Sequence, residues 1–211
     1  MDIAPADAAS TAPFVDQVTA LIWSTGPVSY EYHFGRREVF DSLVRRSWQA
    51  PGTLFGLDAA TLALEGDQVL GIEIGFHGPE FRQRQAALAP LWPAMVEAGE
   101  VDADEIPGIL ERSRNASWLN PVVRQGIYYI HAIAVDPKYR GKQIGQRLLM
   151  QAMDQGRALD CRALELDVLS DNPAVGFYTS QGLELLVESR APKPEAFGVP
   201  PEWRMGVSLR S

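Results

Sequence analysis

Residues 135–146 read VDPKYRGKQIGQ and form the most informative stretch of the chain. An almost fully apolar segment, residues 127–135, precedes them, and apolar residues recur at helical spacing from Ile144 onward. The pattern predicts a strand, a tight turn and a helix. Backbone N–H groups that converge at such a turn, the helix N-terminus and the charges of Arg140 and Lys142 would attract an anion. A basic turn without a ligand is the alternative, and neither GxGxxG nor GxxxxGK[ST] fits the spacing.

Regular elements are predicted on both sides of this turn. Residues 164–168 alternate between apolar and acidic, which is typical of a half-buried strand. Asp171 or Asn172 then begins a helix that reaches Ser180, and Gly182 ends it. Strands and helices in this order predict an α/β (α+β) fold. The other predicted elements are a short strand at Ile3, helices over residues 11–22 and 36–49, a hairpin of residues 60–64 and 69–76, and strands over residues 183–189 and 204–209.

Residues 78–125 interrupt this order. A connection of roughly fifty residues between two strands is longer than loops usually are. Helical patterns over residues 81–98 and 104–114 predict that it has helices of its own. The sequence therefore predicts a single domain, residues 1–211, with a helical insertion. The insertion is expected to be a substrate lid or a dimer contact, so a homodimer is one expected assembly.

Composition excludes several classes of function. The 211 residues include 19 Lys and Arg against 27 Asp and Glu, a net charge of −8 without a basic stripe. No nucleic-acid partner is expected, and the acidic field favours cationic small molecules. Cys161 is the single cysteine, so no intrachain disulfide or CxxC metal site is expected. The start of the chain lacks the pattern of a secretory signal, and no apolar run approaches the ~20 residues of a membrane helix. A cytoplasmic protein without a membrane partner is therefore expected.

Two segments resemble motifs of one family. Residues 140–145, RGKQIG, resemble the R/Q-x-x-G-x-G/A acetyl-CoA motif of the GNAT superfamily of N-acetyltransferases. Residues 172–183, NPAVGFYTSQGL, resemble its N-x-x-A-x-x-x-Y-x-x-x-G-F segment, so the resemblance covers about residues 126–211. It implies an acyl-CoA N-acyltransferase fold, with a mixed, mostly antiparallel, splayed central sheet flanked by helices. Gln143 departs from the motif, which has glycine there, and the second segment is one residue short.

The resemblance implies acetyl-CoA as the cofactor. The pantetheine arm would pair with the backbone of Ile133 and Val135, and the pyrophosphate would lie on residues 142–146. Asn172 suits the family's asparagine position better than Asp171, because a carboxylate would repel the pyrophosphate. The implied cofactor-binding residues are Ile133, Ala134, Val135, Arg140, Gly141, Lys142, Gln143, Ile144, Gly145, Gln146, Asn172 and Tyr178.

The resemblance also makes Tyr178 the catalytic acid that protonates the departing thiolate. A phenol with an ordinary pKa of about 10 holds its proton at neutral pH, so the role is chemically sound. A core tyrosine that packs its helix is the alternative.

A catalytic base must deprotonate the attacking amine. Tyr129, His131, Ile133 and Val135 alternate along one strand and are predicted to share one face. This strand resembles that of serotonin N-acetyltransferases, and the resemblance gives the deprotonation to His131, whose ordinary pKa near 6.5 suits a base. Glu73 on the hairpin is the second candidate, and Glu73 and Tyr129 are the predicted substrate contacts. A buried structural histidine and a solvated glutamate are the alternatives.

These observations together predict an acetyl-CoA-dependent N-acetyltransferase that acts directly on the primary amine of a small molecule. Residues 29–34, SYEYHF, lie in the region that borders the acceptor in this family. Transfer to a protein N-terminus or to a lysine is one alternative, and a non-catalytic acyl-CoA-binding regulatory protein is another. Tyr178 favours the enzyme, whereas Gln143 counts against it.

Overall fold

One open sheet runs through this computed structural model, which describes residues 1–7, 11–120 and 122–210. Its strands are β1 (Asp2–Pro5), β2 (Ala60–Glu65), β3 (Gln68–His77), β4 (Ile127–Val135), β5 (Ala163–Leu169), β6 (Glu184–Ser189) and β7 (Glu202–Ser208). The strand order is β1-β2-β3-β4-β5-β7-β6. All neighbouring strands are antiparallel except β4 and β5, which run parallel. This mixed, mostly antiparallel sheet confirms the predicted fold class.

Helices pack on both faces of the sheet. They are α1 (Val15–Trp23), α2 (Pro27–Phe34), α3 (Arg37–Trp48), α4 (Glu80–Ala86), α5 (Trp92–Glu97), α6 (Ile106–Ala116), α7 (Ile144–Ala158), α8 (Ala174–Ser180) and α9 (Pro192–Phe197). The sequence pattern misses α2 and α9. The helical pattern over residues 81–98 is divided into α4, a 3-10 turn and α5, as Pro90 and Pro93 predict, because proline lacks the N–H that a helix interior needs. Within the described residues, no helix is long and apolar enough to cross a membrane.

The helices between β3 and β4 pack against α3. Val39 and Leu43 of α3 share a buried cluster with Trp92, Met95 and Ile109 from α5 and α6. The segment predicted as an insertion thus extends the layer of helices that α1 and α3 form on one face of the sheet. Its role as a lid or a dimer contact stays a prediction.

The sheet opens in its middle, between β4 and β5. These strands pair only over Ile127–Ile130 and Ala163–Leu166, although both continue beyond those residues. From Ala132 to Val135, β4 pairs with β3 on one side, and no described strand pairs with its other side. The diverging ends of the two strands leave a cleft, as the splayed sheet of the sequence analysis requires.

A β-bulge lies in β4 where the two strands part. Ala132 pairs with Ile74, but Ile130 pairs with Gly75, so His131 is the extra residue of the bulge. A side chain in place of Gly75 would collide with its neighbours, and glycine keeps the strands close at this point. Because one residue is inserted, the alternation of faces along β4 reverses after His131.

The prediction that Tyr129, His131, Ile133 and Val135 share one face of β4 is wrong because of this bulge. The rings of Tyr129 and His131 contact Phe76, in the core on the α1 and α3 side of the sheet. Ile133 and Val135 instead pack toward α7 on the other side. Simple alternation fails here because the inserted residue shifts the period by one.

Candidate active site

The cleft between β4 and β5 opens into a cavity of about 1410 Å³. Small-molecule sites commonly occupy about 300–1,000 Å³, so this cavity has room for two ligands side by side. Residues of α2, α6 and α8 contribute to its walls. Two predicted site residues, Glu73 and Lys142, do not line it. The predicted residues that do line it are Tyr129, His131, Ile133, Ala134, Val135, Arg140, Gly141, Gln143, Ile144, Gly145, Gln146, Asn172 and Tyr178.

The turn before α7 presents backbone N–H groups to this cavity. Gly141 and Gln143 have φ angles of 78° and 60°, which turn the chain sharply into the helix. No described residue accepts a hydrogen bond from the amides of residues 141–146, and the first bond of α7 runs from the Arg147 N–H to the Gln143 carbonyl at 3.0 Å. The first turn of α7 also has no acidic residue. These amides and the helix N-terminus form a site for a phosphate-like anion.

The two basic side chains of the turn have different positions. The Lys142 ammonium lies 5.2 Å from the centre of the Tyr139 ring and outside the cavity lining. Arg140 lines the cavity. Of the two positive charges that the sequence predicts for this site, only that of Arg140 therefore lies at the cavity.

Tyr178 lies on α8 and is 6% exposed. Its side chain lines the cavity, and its hydroxyl has no hydrogen-bond partner among the described residues. Burial raises the pKa of Tyr178 above its ordinary value. The phenol is therefore protonated at neutral pH and can donate a proton into the cleft. The ring also belongs to the buried cluster beneath α7 and α8. Tyr178 can therefore pack its helix and donate a proton at the same time, so the two interpretations from the sequence do not exclude each other.

Asn172 fixes the start of α8. Its side-chain oxygen accepts a hydrogen bond from the Ala174 amide at 2.9 Å, and its Nδ2 donates to the Thr25 carbonyl at 3.3 Å. The sequence left Asp171 and Asn172 open as the capping residue; in the structure Pro173 is the N-cap residue, and Asn172, just before it, accepts the hydrogen bond from the first amide of the helix. Its polar atoms thus tie α8 to the loop between α1 and α2, at the edge of the cavity.

His131 lies in an aromatic environment. Its ring centroid lies 5.2 Å from that of Phe55, 6.4 Å from Phe76 and 6.0 Å from Phe81. Its Nε2 atom is buried and has no hydrogen-bond partner within the described residues. Burial lowers the pKa of His131 to about 4, well below the ordinary value used in the sequence analysis. At neutral pH the imidazole is therefore uncharged, and the same burial makes it a weaker base than an exposed histidine.

Glu73 lies on the opposite face of the sheet from His131. Its side chain is fully buried and accepts a hydrogen bond from the Tyr128 hydroxyl at 3.3 Å. The same hydroxyl contacts Gln155 of α7, which places the carboxylate beneath that helix. Burial raises the pKa of Glu73 to about 8. The sheet separates this group from the cleft, so the expected substrate contact and the second base do not lie in the cavity.

A buried group of charged residues, which the sequence did not single out, lies behind another wall of the cleft and reaches the cavity through Asp167. Arg204 of β7 donates two hydrogen bonds of 2.7 Å to Asp167 of β5, and its Nη1 lies 3.4 Å from Glu165. The Tyr129 hydroxyl donates to Asp167 at 2.9 Å. In the sequence, Glu165 and Asp167 are visible only as the polar side of a half-buried strand. Their partner Arg204 comes from a strand about forty residues later.

Glu202 stands next to this group and faces the cavity. The Asn120 side chain, from the segment between α6 and β4, donates to Glu202 at 3.0 Å and to Asp167 at 3.2 Å. Burial raises the pKa of Glu202 to about 8, and the negative charge of Asp167 acts in the same direction. The cleft therefore has a site for an anion at the turn of residues 141–146. A second wall, here called the carboxyl-rich wall, presents Asp167 and Glu202 to the cavity.

Comparison with known proteins agrees with this geometry. Residues 100–183 match the model of the acetyltransferase (GNAT) family. Over 58 residues the chain is 40% identical to the N-alpha-acetyltransferase RimI of Mycobacterium tuberculosis, a match that covers 27% of this chain and 35% of that protein. Over 71 residues it is 32% identical to an uncharacterized N-acetyltransferase of Methanocaldococcus jannaschii, covering 33% and 31%. Matches to curated relatives span 15–35% of those proteins' lengths.

The whole fold is similar to that of a solved structure. The N-acetyltransferase from Staphylococcus aureus Mu50 superposes with a TM-score of 0.73, covering 98% of this chain and all of that one. Sequence identity is 14%, so the likeness concerns the fold.

Proposed function

We propose that this chain, whose residues 100–183 match the model of the acetyltransferase (GNAT) family, transfers the acetyl group of acetyl-CoA to the primary amine of a small molecule. The amides of residues 141–146 carry this proposal, because they make an anion site at the mouth of the cleft that also holds Tyr178. Acetyl-CoA supplies, when bound, a thioester that an amine can attack.

The chain offers two sets of groups that fit acetyl-CoA. Arg140 and the amides of residues 141–146 suit the pyrophosphate by charge and by hydrogen bonding. The edge of β4 from Ala132 to Val135, which has no partner strand on the β5 side in the described residues, suits the amide groups of the pantetheine arm. Together they would direct the thioester toward Tyr178.

Two side chains suit the proton transfers of the reaction. The Tyr178 hydroxyl, protonated at neutral pH, donates its proton to the departing sulfur. The His131 imidazole, uncharged at neutral pH, accepts a proton from the attacking amine directly or through water. Their placement on two walls of one cavity supports these roles.

A small-molecule acceptor suits the shape of the cavity. Side chains of α2 and α6 cover it, and the Asn120 hydrogen bonds to Asp167 and Glu202 close one side. Transfer to a protein N-terminus is the second candidate, which the 40% identity to RimI over 58 residues favours.

Release of the coenzyme A thiol over a panel of small primary amines and N-terminal peptides tests the proposal. We expect turnover with amines and none with peptides, and Tyr178→Phe, which keeps the ring, serves as the matched control. Turnover with peptides alone would establish the second candidate. Binding of acetyl-CoA without turnover of any acceptor would instead indicate a regulatory protein that binds acyl-CoA.

A further inference from the structure

The carboxyl-rich wall of the cleft has more negative than positive charge. One guanidinium, that of Arg204, faces the carboxylates of Glu165, Asp167 and Glu202. The side chains of Arg204, Glu165 and Asp167 are 94–95% buried and bonded to one another. Glu202 accepts its hydrogen bond from the neutral amide of Asn120, and no described cation lies within ion-pairing distance of it. Arg204 can balance only one of the two carboxylates that it bonds, so this group keeps a negative charge beside Glu202, and a cation from outside the chain would balance it.

The cavity supplies the route for such a cation. Glu202 and Asp167 both line it, together with the apolar side chains of Phe55 and Val168. Elsewhere in its lining, the Nε2 atom of His131 and the Oγ atom of Ser29 are buried without a partner among the described residues.

The position of Glu202 separates it from the reacting amine. The proposed thioester lies along β4, whereas Glu202 is on β7, with β5 between the two strands. Neighbouring strands are about 4.8 Å apart, and β4 and β5 diverge before the Leu169–Glu202 pair, so the backbone of Glu202 lies at least roughly 10 Å from β4. A cation held at Glu202 is therefore a different group from the amine that reaches the thioester.

We infer that Glu202, with Asp167 beside it, binds a second positive charge on the acceptor, so that the substrate is a primary amine with a cationic group at its other end. This inference rests on the proposed function and names the class of its substrate. The apolar walls between the two ends suit a methylene chain. Asn120 holds the Glu202 carboxylate in place and is a positioning residue.

Binding of the cation has a proton signature. In the ligand-free cleft the pKa of Glu202 is about 8, so the carboxyl is mostly protonated at pH 7. A bound cation favours the ionised form, and one proton leaves as the ligand enters. Affinity is therefore expected to rise by about tenfold per pH unit up to pH 8. The charged and titratable groups that face Glu202 are Asp167 of β5, Arg204 of β7, Tyr129 of β4 and Tyr30 of α2, and Glu165 of β5 is paired with Arg204.

Cadaverine and hexylamine test the inference, because the second has a methyl group in place of one ammonium. The wild-type protein should acetylate cadaverine with a kcat/KM at least tenfold higher than that of hexylamine. Glu202→Gln keeps the shape and the Asn120 contact but removes the charge, and it should abolish this preference through KM. Glu184→Gln, at an exposed position of β6, is the matched control and should leave the preference unchanged. Equal losses for both amines in Glu202→Gln, or no wild-type preference, would overturn the inference.

Calorimetry separates this inference from the proposed function. Cadaverine titrated into the ligand-free protein at pH 7 should bind with proton release, and Glu202→Gln should weaken binding at least tenfold and stop the release. If cadaverine binds in this way but no amine is acetylated, the subsite stands and the proposed function fails. If acetyl transfer occurs but Glu202→Gln binds cadaverine as tightly as the wild type, the proposed function stands and the subsite is wrong.

Discussion

Gln143→Gly is expected to stabilise the fold by roughly 0.5–1 kcal/mol. Gln143 has φ 60° and ψ 13°, in the left-handed region where a non-glycine residue costs about 1–2 kcal/mol. Glycine removes this strain, but it also raises the conformational entropy of the unfolded chain, which offsets about 0.4–1 kcal/mol of the gain in stability. The side chain of Gln143 makes no hydrogen bond within the described residues, so little else is lost.

Urea unfolding and thermal unfolding measure this gain, which corresponds to about 1–4 °C in Tm for a chain of this size. Asp160→Gly is the matched control, since Asp160 has φ 55° but lies outside the cavity. Both variants should be stabilised, Asp160→Gly by less because aspartate tolerates this conformation better than glutamine. Acetyl-CoA should bind Gln143→Gly as tightly as the wild type or more tightly. A destabilised Gln143→Gly, or weaker acetyl-CoA binding by this variant alone, would refute the reasoning and show that the glutamine side chain makes a contact of its own.

Three further predictions follow from the cleft. Acetyl-CoA at one hundred times its Kd should stabilise the protein by about 2.7 kcal/mol, which thermal unfolding measures as a rise in Tm. Arg140→Glu should remove most of this rise, and Lys142→Glu should remove far less. Equal losses in the two variants would contradict the separate positions of these side chains. His131→Gln should lower kcat/KM at pH 7 by about 10²–10⁴. Because the pKa of His131 is about 4, the imidazole is unprotonated above pH 5. A rise of the wild-type kcat/KM near pH 6–7 that is absent from His131→Gln would therefore contradict the burial of this side chain. Asn120→Ala should raise the KM for the acceptor and leave the affinity for acetyl-CoA unchanged in steady-state kinetics. Weaker acetyl-CoA binding with an unchanged acceptor KM would show that Asn120 does not contribute to the acceptor site.

The sequence predicts the half of the fold whose signals are local. The strand before Pro137, the turn around Gly141 and the helix from Ile144 are each encoded by neighbouring residues, and the structure has them at the predicted places. The sequence shows only that a glutamine stands where the motif has glycine, whereas the backbone shows that this position has a positive φ of 60°.

Long-range pairing determines what the sequence does not reveal. The bulge at His131 is visible only in the pairing of β4 with β3, where Ile130 pairs with Gly75 and Ala132 with Ile74, so the sequence of β4 alone does not reveal its effect on the faces of the strand. Glu165 and Asp167 are typical of a solvated strand face, but Arg204 and the segment before β4 cover them. A charged residue that alternates with apolar ones is buried or exposed according to which later element packs over it.

Single-turnover transfer of labelled acetyl from acetyl-CoA to an amine, followed by mass spectrometry of the product, tests the central claim most directly. With excess wild-type protein, we expect label in the amine product, and Tyr178→Phe should slow its appearance by about 10²–10⁴ while its acetyl-CoA affinity stays close to that of the wild type. Appearance of labelled product at the same rate in both proteins would contradict the role of Tyr178, and absence of product with every amine tested would contradict acetyl transfer itself.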